Sequence, residues 1–388
     1  MTFAPADRLR KLPPYLFAEI DKKKKAAIAA GRDVINLGIG DPDTPTPQFV
    51  IDELARQAAE PKNHQYALDN GLPEFRRAIA AWYHRRFRVE LDPDKEIYPL
   101  IGSKEGIAHF PLAVLNPGDV ALVPDPLYPP YRSGTIFAGG EPVYMKLLEK
   151  NRFLPDFSVV PSKDLARAKL MWLCYPNNPT AAAADLAFFA KAVDFARQNR
   201  LILAQDAAYS EVYYEEPSPS VLQVPGAKDL AIEFHSCSKT FNMTGWRIGW
   251  AAGNADLISL LGRLKTNLDS GIFQAVQYAA IKALNEGDDF TVHLRAMYRE
   301  RRDAFCDGLR SIGWRVTPPK AAFYVWLPTP GAMSSTDCAT RLLEEADIVM
   351  TPGLGFGDAG EGYIRAALTV DVQRLREATR RISGMKWS

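Results

Sequence analysis

The fold is decided by a short central stretch, Leu201-Ile202-Leu203-Ala204-Gln205-Asp206-Ala207-Ala208-Tyr209. Its start is apolar without alternation, which predicts a strand buried on both faces, as in a parallel sheet. The strand ends at a carboxylate, Asp206. Burying a carboxylate without a partner is costly, so Asp206 is expected either to face a cation or to cap the following segment.

Short apolar runs alternate with amphipathic stretches on both sides of this strand. Candidate strands lie at residues 97–101, 120–123, 142–145, 170–174, 201–205, 231–235 and 248–252, and candidate helices at 105–115, 185–198 and 256–267. This alternation predicts an α/β domain with a mainly parallel sheet. Ligands of such sheets bind at the carboxyl ends of the strands, and every motif described below is expected to fall at such an end.

The pattern changes after residue 274. Helices are predicted at 274–285 and 289–311, followed by strands at 323–327, 348–351 and 363–367 and by helices at 335–346 and 371–382. Helices and short strands in this arrangement predict a second domain of the α+β class.

The balance of charges excludes several classes of partner. Lysine and arginine number 47 against 46 aspartates and glutamates, for a net charge of +1, which gives no electrostatic reason to expect nucleic acid or an anionic membrane. The most apolar stretch, residues 181–196, is interrupted by Asp185, Lys191 and Asp194 and cannot span a bilayer. The first residues are charged and proline-rich, so we expect no secretory signal.

Cysteine and histidine spacing predicts neither a disulfide framework nor a metal centre. The four cysteines include no CxxC pair, which fits free thiols in a reducing cytoplasm. The five histidines form no HxxxH or HxH pair. A cytoplasmic enzyme without a metal is therefore the expected class.

The most informative chemistry lies at Lys239, in the run Ser236-Cys237-Ser238-Lys239-Thr240-Phe241-Asn242-Met243-Thr244-Gly245-Trp246-Arg247. An amine can act on a carbonyl by forming a Schiff base. The flanking hydroxyls, glycine and arginine suit a phosphate, and pyridoxal phosphate is an aldehyde that carries one. The alternative is a solvated surface lysine.

A second phosphate signal is the stretch Gly102-Ser103-Lys104-Glu105-Gly106, which follows a predicted strand and opens a predicted helix. Backbone N–H groups at a helix N-terminus bind anions, and the Ser103 hydroxyl adds a further donor. The alternative is that Ser103 only caps the helix.

Together these motifs resemble the class I/II aminotransferases, which are fold-type-I enzymes dependent on pyridoxal phosphate. The likeness runs from residue 12 to residue 382. It implies a large cofactor-binding α/β domain at residues 48–285, with a mainly parallel central sheet. It also implies a smaller α+β domain formed by an N-terminal arm, residues 1–47, together with residues 286–388.

The resemblance assigns a role to each motif. Lys239 would hold the cofactor and carry the proton. The phosphate would be bound by Ser103, Lys104, Ser236, Ser238 and Arg247. Asp206 would pair with the ring nitrogen, Tyr209 and Asn178 would bond the ring oxygen, and Tyr128 would stack on the ring.

The Asn178 motif is Tyr175-Pro176-Asn177-Asn178-Pro179-Thr180, which ends a predicted strand. The family usually has glycine after the threonine, whereas this chain has Ala181. Alanine would be mildly strained in a turn with positive φ. Asn-Pro by itself indicates only a turn. For the proline-rich segment around Tyr128, the alternative is a rigid loop whose tyrosines pack on the core.

Substrate recognition is predicted from Tyr363-Ile364-Arg365. An arginine in an apolar strand needs a partner, and an amino acid's α-carboxylate is a suitable bidentate one; the alternative is a structural salt bridge. The family places an arginine there, and Asn178 would help hold that carboxylate. The nearby residues 355–360 match GxGxxG but lead into a strand, so we interpret them as a loop.

A narrower resemblance, to the LL-diaminopimelate aminotransferases of bacteria and archaea, rests on the segments 12–20, 37–47 and 103–107. It implies that Tyr15 and Gly40 touch the substrate and that Lys104 lies near its distal end. The alternatives are an aromatic anchor for Tyr15 and a turn for Gly40. Tyr66 resembles a residue that reaches the partner subunit's cofactor phosphate, which implies a homodimer with shared sites; Asn267 and Ser270 are expected near that interface.

These likenesses predict amino transfer between LL-diaminopimelate and 2-oxoglutarate, in lysine biosynthesis. The substrates are small amino acids and 2-oxo acids, with no nucleic acid or membrane as partner. Alanine, aspartate or methionine as amino donor is one alternative, and a carbon–sulfur β-lyase on the same fold is another. A regulator that binds pyridoxal phosphate is disfavoured. Such proteins usually carry a helix-turn-helix ahead of the fold, whereas this sequence starts almost directly in the aminotransferase arm.

Overall fold

The computed structural model describes residues 3–12, 17–67 and 70–387; Tyr15 lies outside these ranges. The α-helices are α1 (Asp7–Arg10), α2 (Phe17–Ala29), α3 (Gln48–Ala58), α4 (Pro73–Phe87), α5 (Ser103–Val114), α6 (Pro129–Phe137), α7 (Ser162–Leu165), α8 (Leu186–Gln198), α9 (Cys237–Thr240), α10 (Ala255–Lys265), α11 (Gln274–Glu286), α12 (Asp288–Ser311), α13 (Ser335–Ala346) and α14 (Val372–Ser383). The strands are β1 (Ile35–Asn36), β2 (Ile97–Leu100), β3 (Val120–Asp125), β4 (Glu141–Lys146), β5 (Ala168–Cys174), β6 (Ile202–Asp206), β7 (Ala231–Ser236), β8 (Gly249–Gly253), β9 (Tyr324–Pro328), β10 (Ile348–Val349), β11 (Thr351–Pro352) and β12 (Tyr363–Ala367).

The large sheet has seven strands in the order β2-β8-β7-β6-β5-β3-β4. All neighbouring pairs are parallel except those of β8, which runs antiparallel to both β2 and β7. Successive residues of β6 alternate between two cores, with Leu203 in one and Ala204 in the other, and both are fully buried. The predicted mainly parallel sheet, buried on both faces, is confirmed.

Three helices of this region with more than eight residues, α3, α4 and α6, were not predicted from the sequence, nor were the single-turn helices α7 and α9. Helix α6 begins with Pro129 and Pro130, for which a rigid loop was the alternative considered from the sequence. Proline is favourable in the first turn of a helix because its missing N–H would have no partner there. The same prolines therefore start a helix that carries Tyr131 into the core.

A second core joins the N-terminal segment to the C-terminal part of the chain. Strands β11, β12 and β9 form an antiparallel sheet, and β1 pairs with β10 in parallel. The single strand predicted at 348–351 is wrong: β10 and β11 are separate and pair with different partners. Ile35 and Leu37 pack in this core, as do Ala181 and Tyr209 from the large-sheet region. The domain boundaries at 47/48 and 285/286 stay a prediction.

The carboxyl ends of β2, β3, β5, β6 and β7 lie at one edge of the large sheet. The motif Tyr363-Ile364-Arg365 lies inside β12 of the antiparallel small sheet, so the expectation that every motif falls at the carboxyl end of a strand is wrong there. Arg247, the last residue of the lysine motif that follows β7, precedes β8. Because β8 is antiparallel, its first residue, Gly249, nevertheless pairs with Ser236 and with Leu100 at that same edge. Within the described residues, no helix is long and apolar enough to cross a membrane.

Candidate active site

A cavity of about 650 Å³ opens between this edge of the large sheet and the antiparallel small sheet. It brings together most of the residues predicted from the sequence: Gly40, Ser103, Lys104, Tyr128, Asn178, Asp206, Tyr209, Ser236, Ser238, Lys239, Arg247 and Arg365. Residues from five strand ends and from the N-terminal segment therefore face one space.

Lys239 lies in α9, directly after β7, and is no surface lysine. Its Nζ donates a 2.7 Å hydrogen bond to the carbonyl oxygen of Gly40 and lies 5.7 Å from the centre of the Phe323 ring. Burial lowers the pKa of Lys239 to about 8, and the nearby Asp41 carboxylate opposes this shift in part. The amine is thus held in the cavity with a larger neutral fraction near neutral pH than an exposed lysine has.

A candidate anion-binding cradle lies at the start of α5. The N-cap is Gly102, and no side chain caps the helix, so the alternative role of Ser103 as a cap is wrong. Gly102 has a φ of 73°, and a Cβ there would collide with the guanidinium of Arg247. The glycine lets Arg247 lie against the helix start, where backbone N–H groups and a cation converge.

The lysine segment contributes hydroxyl groups to the same cradle. The Ser236 hydroxyl accepts a 3.1 Å hydrogen bond from the Ser238 backbone N–H, which folds the segment back at the end of β7. Arg247 donates from Nη1 to the carbonyl oxygen of Thr244 at 2.7 Å. Both serine side chains and the arginine line the cavity.

Asp206 is a buried carboxylate at the end of β6. It accepts a 2.7 Å hydrogen bond from the Tyr131 hydroxyl and a 3.2 Å hydrogen bond from the Ala208 N–H. Burial raises the pKa of Asp206 above its ordinary value, although both donors favour the ionised form. Within the described ranges no basic side chain forms an ion pair with it, so its environment suits a cation brought by a ligand.

Tyr209 reaches the cavity beside a residue that sequence reasoning missed. Its hydroxyl lies 2.7 Å from the hydroxyl of Tyr324 in β9, and burial raises the pKa of both phenols. A Cβ at Gly40 would collide with the Tyr324 hydroxyl. Gly40 is therefore required by a close approach, and its φ lies outside the left-handed region.

Arg365 is buried, with 6% of its surface exposed, yet it has no acidic partner among the residues the structure describes. Nη1 donates to Oδ1 of Asn178 at 2.8 Å and Nη2 to the carbonyl oxygen of Gly38 at 2.9 Å, while Nε has no hydrogen-bond partner. The guanidinium lies 4.3 Å and 4.6 Å from the ring centres of Tyr324 and Phe356. The alternative that Arg365 forms a structural salt bridge is therefore wrong, and a ligand carboxylate fits this environment.

The turn after Asn178 confirms the expectation for Ala181, which has a φ of 57°. The turn is closed by hydrogen bonds from the Ala181 N–H to the Asn177 carbonyl oxygen and from the Asn177 N–H to the Ala182 carbonyl oxygen, at 2.9 and 2.8 Å. Alanine thus occupies the left-handed conformation at some cost in strain.

Tyr66 does not line the cavity of its own chain. It is 85% exposed and lies beside a separate surface hollow with Ser270 and Phe273. Asn267 donates to the carbonyl oxygen of Arg263 at the end of α10. Lys104 is exposed at the cavity.

Sequence reasoning missed Tyr131, Tyr324 and Phe356. Tyr131 lies three residues after Tyr128, and the centres of the two rings are 5.8 Å apart. A prediction of helix α6 would have indicated that these two rings are neighbours. Tyr324 lies in an apolar strand without a local motif, and Phe356 lies in the segment 355–360 that we interpreted as a loop; only the tertiary fold brings both to the cavity.

Comparison with protein families gives one match over most of the chain. Residues 32–382 match the aminotransferase class I and II family. The sequence is 54% identical over 385 residues to an LL-diaminopimelate aminotransferase of Desulforudis audaxviator, covering 99% of this chain and 98% of that protein. It is 53% identical over 385 residues to the LL-diaminopimelate aminotransferase of Aquifex aeolicus, covering 99% of this chain and all of that protein.

Solved structures agree over nearly the whole chain. Substrate-bound BacF from Bacillus subtilis superposes with a TM-score of 0.95 at 38% identity, covering 99% of this chain and 98% of that one. A probable N-succinyldiaminopimelate aminotransferase from Thermus thermophilus superposes with a TM-score of 0.91 at 34% identity, covering 95% and 99%.

Proposed function

Because this chain belongs to the aminotransferase class I and II family, we propose that it moves an amino group between LL-diaminopimelate and 2-oxoglutarate, with pyridoxal phosphate as cofactor. The structural observation that carries the proposal is the buried Arg365, which shares a cavity with the Lys239 amine and has no acidic partner among the described residues. The names of relatives that are 53–54% identical over nearly full length support the choice of substrate and a role in lysine biosynthesis.

The residues of the cavity fit pyridoxal phosphate. Gly102 leaves the start of α5 open beside Arg247 for the phosphate, and the buried Asp206 carboxylate suits a protonated ring nitrogen. Tyr128 would cover the ring, with Tyr209 and Asn178 at the ring oxygen. When bound, the cofactor supplies an electron sink that stabilises negative charge at the substrate Cα.

Each remaining task in the reaction falls to a side chain of this protein. Arg365 and Asn178 would hold the α-carboxylate and so fix the Cα–H bond relative to Lys239. Nζ of Lys239 would accept the proton from the substrate Cα as a general base. It would then return that proton, as a general acid, to the cofactor's aldehyde carbon. A pKa near 8 suits both directions near neutral pH.

The distal end of LL-diaminopimelate is itself a charged amino acid. Burying these charges without partners would be costly, so the proposal requires polar groups at the mouth of the cavity. Lys104 is exposed there, and Asp41 lines the same cavity. We place the distal carboxylate near Lys104.

A panel of amino donors with 2-oxoglutarate, compared by kcat/KM, tests the substrate. LL-diaminopimelate is expected to exceed alanine, aspartate and methionine. Equal values would contradict the narrow assignment and leave an aminotransferase of another specificity. Release of ammonia without a new amino acid would instead indicate a β-lyase.

The proposal includes a homodimer with shared active sites. Tyr66 is exposed and lies away from its own cavity, which fits a contribution to the partner subunit's cofactor phosphate. A reducing cytoplasm is proposed as its location, since all four cysteines are free and buried.

A further inference from the structure

A buried lysine lies directly behind the phosphate cradle. Lys265, the last residue of α10, is 2% exposed, and its Nζ lies 2.8 Å from Oε1 of Glu105 and 2.8 Å from Oδ2 of Asp269. His109 places Nδ1 2.9 Å from the same Glu105 oxygen. The ammonium therefore supplies the cation that the two carboxylates need.

Glu105 connects this lysine to the cradle. It is in the first turn of α5, and its Oε2 accepts a 3.2 Å hydrogen bond from the Ile101 N–H, in the loop ahead of the helix. The Glu105 N–H in turn donates to the carbonyl oxygen of Gly102 at 3.2 Å. The carboxylate thus fixes the loop directly ahead of the helix start, where Ser103 and Lys104 line the cavity.

The same carboxylate is an electrostatic problem for an anion site. A negative charge in the first turn of α5 repels a phosphate dianion bound at that helix start, and in a partly buried site the repulsion is poorly screened. Lys265 offsets part of this charge at 2.8 Å, because its ammonium is shared with Asp269, while Oε2 of Glu105 holds the Ile101 N–H.

We propose that Lys265 is a positioning residue of the phosphate cradle, whose buried ammonium holds Glu105 and offsets its negative charge so that the site selects a phosphorylated cofactor. This inference rests on the proposed function, because it takes the anion at α5 to be the phosphate of pyridoxal phosphate.

The test compares two ligands that differ only in the phosphate. Pyridoxal phosphate and pyridoxal are titrated into the apoprotein, and dissociation constants are read from absorbance. With Lys265→Met, the constant for pyridoxal phosphate is expected to rise about ten-fold or more, the effect of losing one charge-assisted interaction, and that for pyridoxal less than about two-fold. Lys265→Gln, which keeps a hydrogen-bond donor and removes the charge, gives the same test if Lys265→Met does not fold.

A double variant separates charge from packing. Adding Glu105→Gln to Lys265→Met removes the uncompensated carboxylate, so part of the affinity for pyridoxal phosphate is expected to return. The matched control is Lys228→Met. Lys228 pairs with Glu96, which directly precedes the first residue of β2, whereas the cradle follows the last residue of that strand. Its two dissociation constants are expected to stay at the wild-type values.

Equal losses for both ligands in the Lys265 variants, or no recovery in the double variant, would overturn the inference. An unmodified protein that binds pyridoxal phosphate no better than pyridoxal would instead contradict the proposed function. The two failures are therefore distinguishable.

Discussion

The guanidinium of Arg365 donates a 2.8 Å hydrogen bond from Nη1 to Oδ1 of Asn178, across 187 residues of sequence. Arg365 belongs to β12 of the small sheet, and Asn178 follows β5 of the large sheet. The contact joins the two sheets at the cavity, so a carboxylate bound by Arg365 would also lie beside Asn178. The substrate carboxylate would therefore be held where the two sheets meet.

Replacing Arg365 by lysine is expected to lower kcat/KM for α-amino acids by about 10- to 100-fold, since a bidentate, charge-assisted contact is lost. The loss should be confined to substrates with an α-carboxylate, and amines without one are the internal comparison. Steady-state kinetics over both classes make the measurement.

Stability separates this role from a structural one. Arg365 has no acidic partner among the described residues, so Arg365→Lys is expected to leave the free energy of unfolding of the apoprotein nearly unchanged. Arg86→Lys is the matched control, because Arg86 does pair with the buried Glu211 at 3.0 Å. A stability loss at Arg365 as large as that at Arg86 would contradict the substrate role.

Lys239 is expected to make the apoprotein's stability depend on pH. Burial lowers its pKa from 10.5 to about 8. The folded state then favours the neutral amine, so the stabilisation is fully present above 10.5 and is lost as the pH falls towards 8. Such a shift corresponds to roughly 3 kcal/mol, and we expect about 1–2 kcal/mol because the cavity is open to water.

Urea unfolding of the apoprotein and of Lys239→Met at pH 7 and pH 10.5 checks this linkage. The variant should gain stability relative to the unmodified protein at pH 7 and lose that advantage at pH 10.5. The opposite trend would show that the folded state favours the charged amine. Lys239→Met should also abolish amino transfer while the cofactor still binds.

Tyr131→Phe tests whether the Tyr131 hydroxyl favours the ionised form of Asp206. The variant removes the 2.7 Å hydrogen bond to Oδ2, so the pKa of Asp206, already raised by burial, should rise further. A weaker partner for the ring nitrogen is expected to slow exchange of the substrate α-proton about ten-fold, the effect of about 1.4 kcal/mol. Tyr83→Phe is the control, because that hydroxyl bonds another buried carboxylate, Glu233. Similar slowing in both variants would contradict a specific role.

The sequence predicted those parts of the site that carry their own local signal. Lys239, Asp206 and Arg365 each lie in or next to an apolar strand, and a charged residue in that setting indicates a ligand or a partner. The bounds of β12, residues 363–367, were also predicted without error. Tyr324 has no such signal, because its hydroxyl contact with Tyr209 spans 115 residues of sequence.

The short strands show a second limit of sequence reasoning. A single strand was predicted at 348–351, where Met350 separates β10 from β11. All four residues are buried and apolar or small, so periodicity offers no boundary. The boundary between β10 and β11 is set instead by their pairing partners, since Ile348 pairs with Ile35 and Thr351 pairs with Arg365.

Ala181→Gly is expected to stabilise the protein by about 0.5 kcal/mol. Alanine at a φ of 57° is strained by about 1 kcal/mol or more, and glycine relieves that strain at some cost in unfolded-state entropy. Ala182→Gly, one residue later and outside the left-handed region, should be destabilising by a similar amount. Reversible urea unfolding of both variants measures the difference, and losses in both would contradict the strain.

Tyr66 provides the test of the proposed shared active site. It is 85% exposed and lies beside Ser270 and Phe273, away from its own chain's cavity, and the proposal therefore has its hydroxyl act at the cofactor of a partner subunit. Tyr66→Phe is expected to raise the dissociation constant of pyridoxal phosphate several-fold and to leave that of pyridoxal unchanged, because a single hydrogen bond to the phosphate is lost. Tyr144→Phe, an exposed tyrosine on β4, is the control and should change neither constant. Light scattering across protein concentrations supplies the second measurement, since activity should fall where the dimer dissociates. A fully active monomer at nanomolar concentration would contradict the shared site, because no residue of the partner could then complete the phosphate cradle.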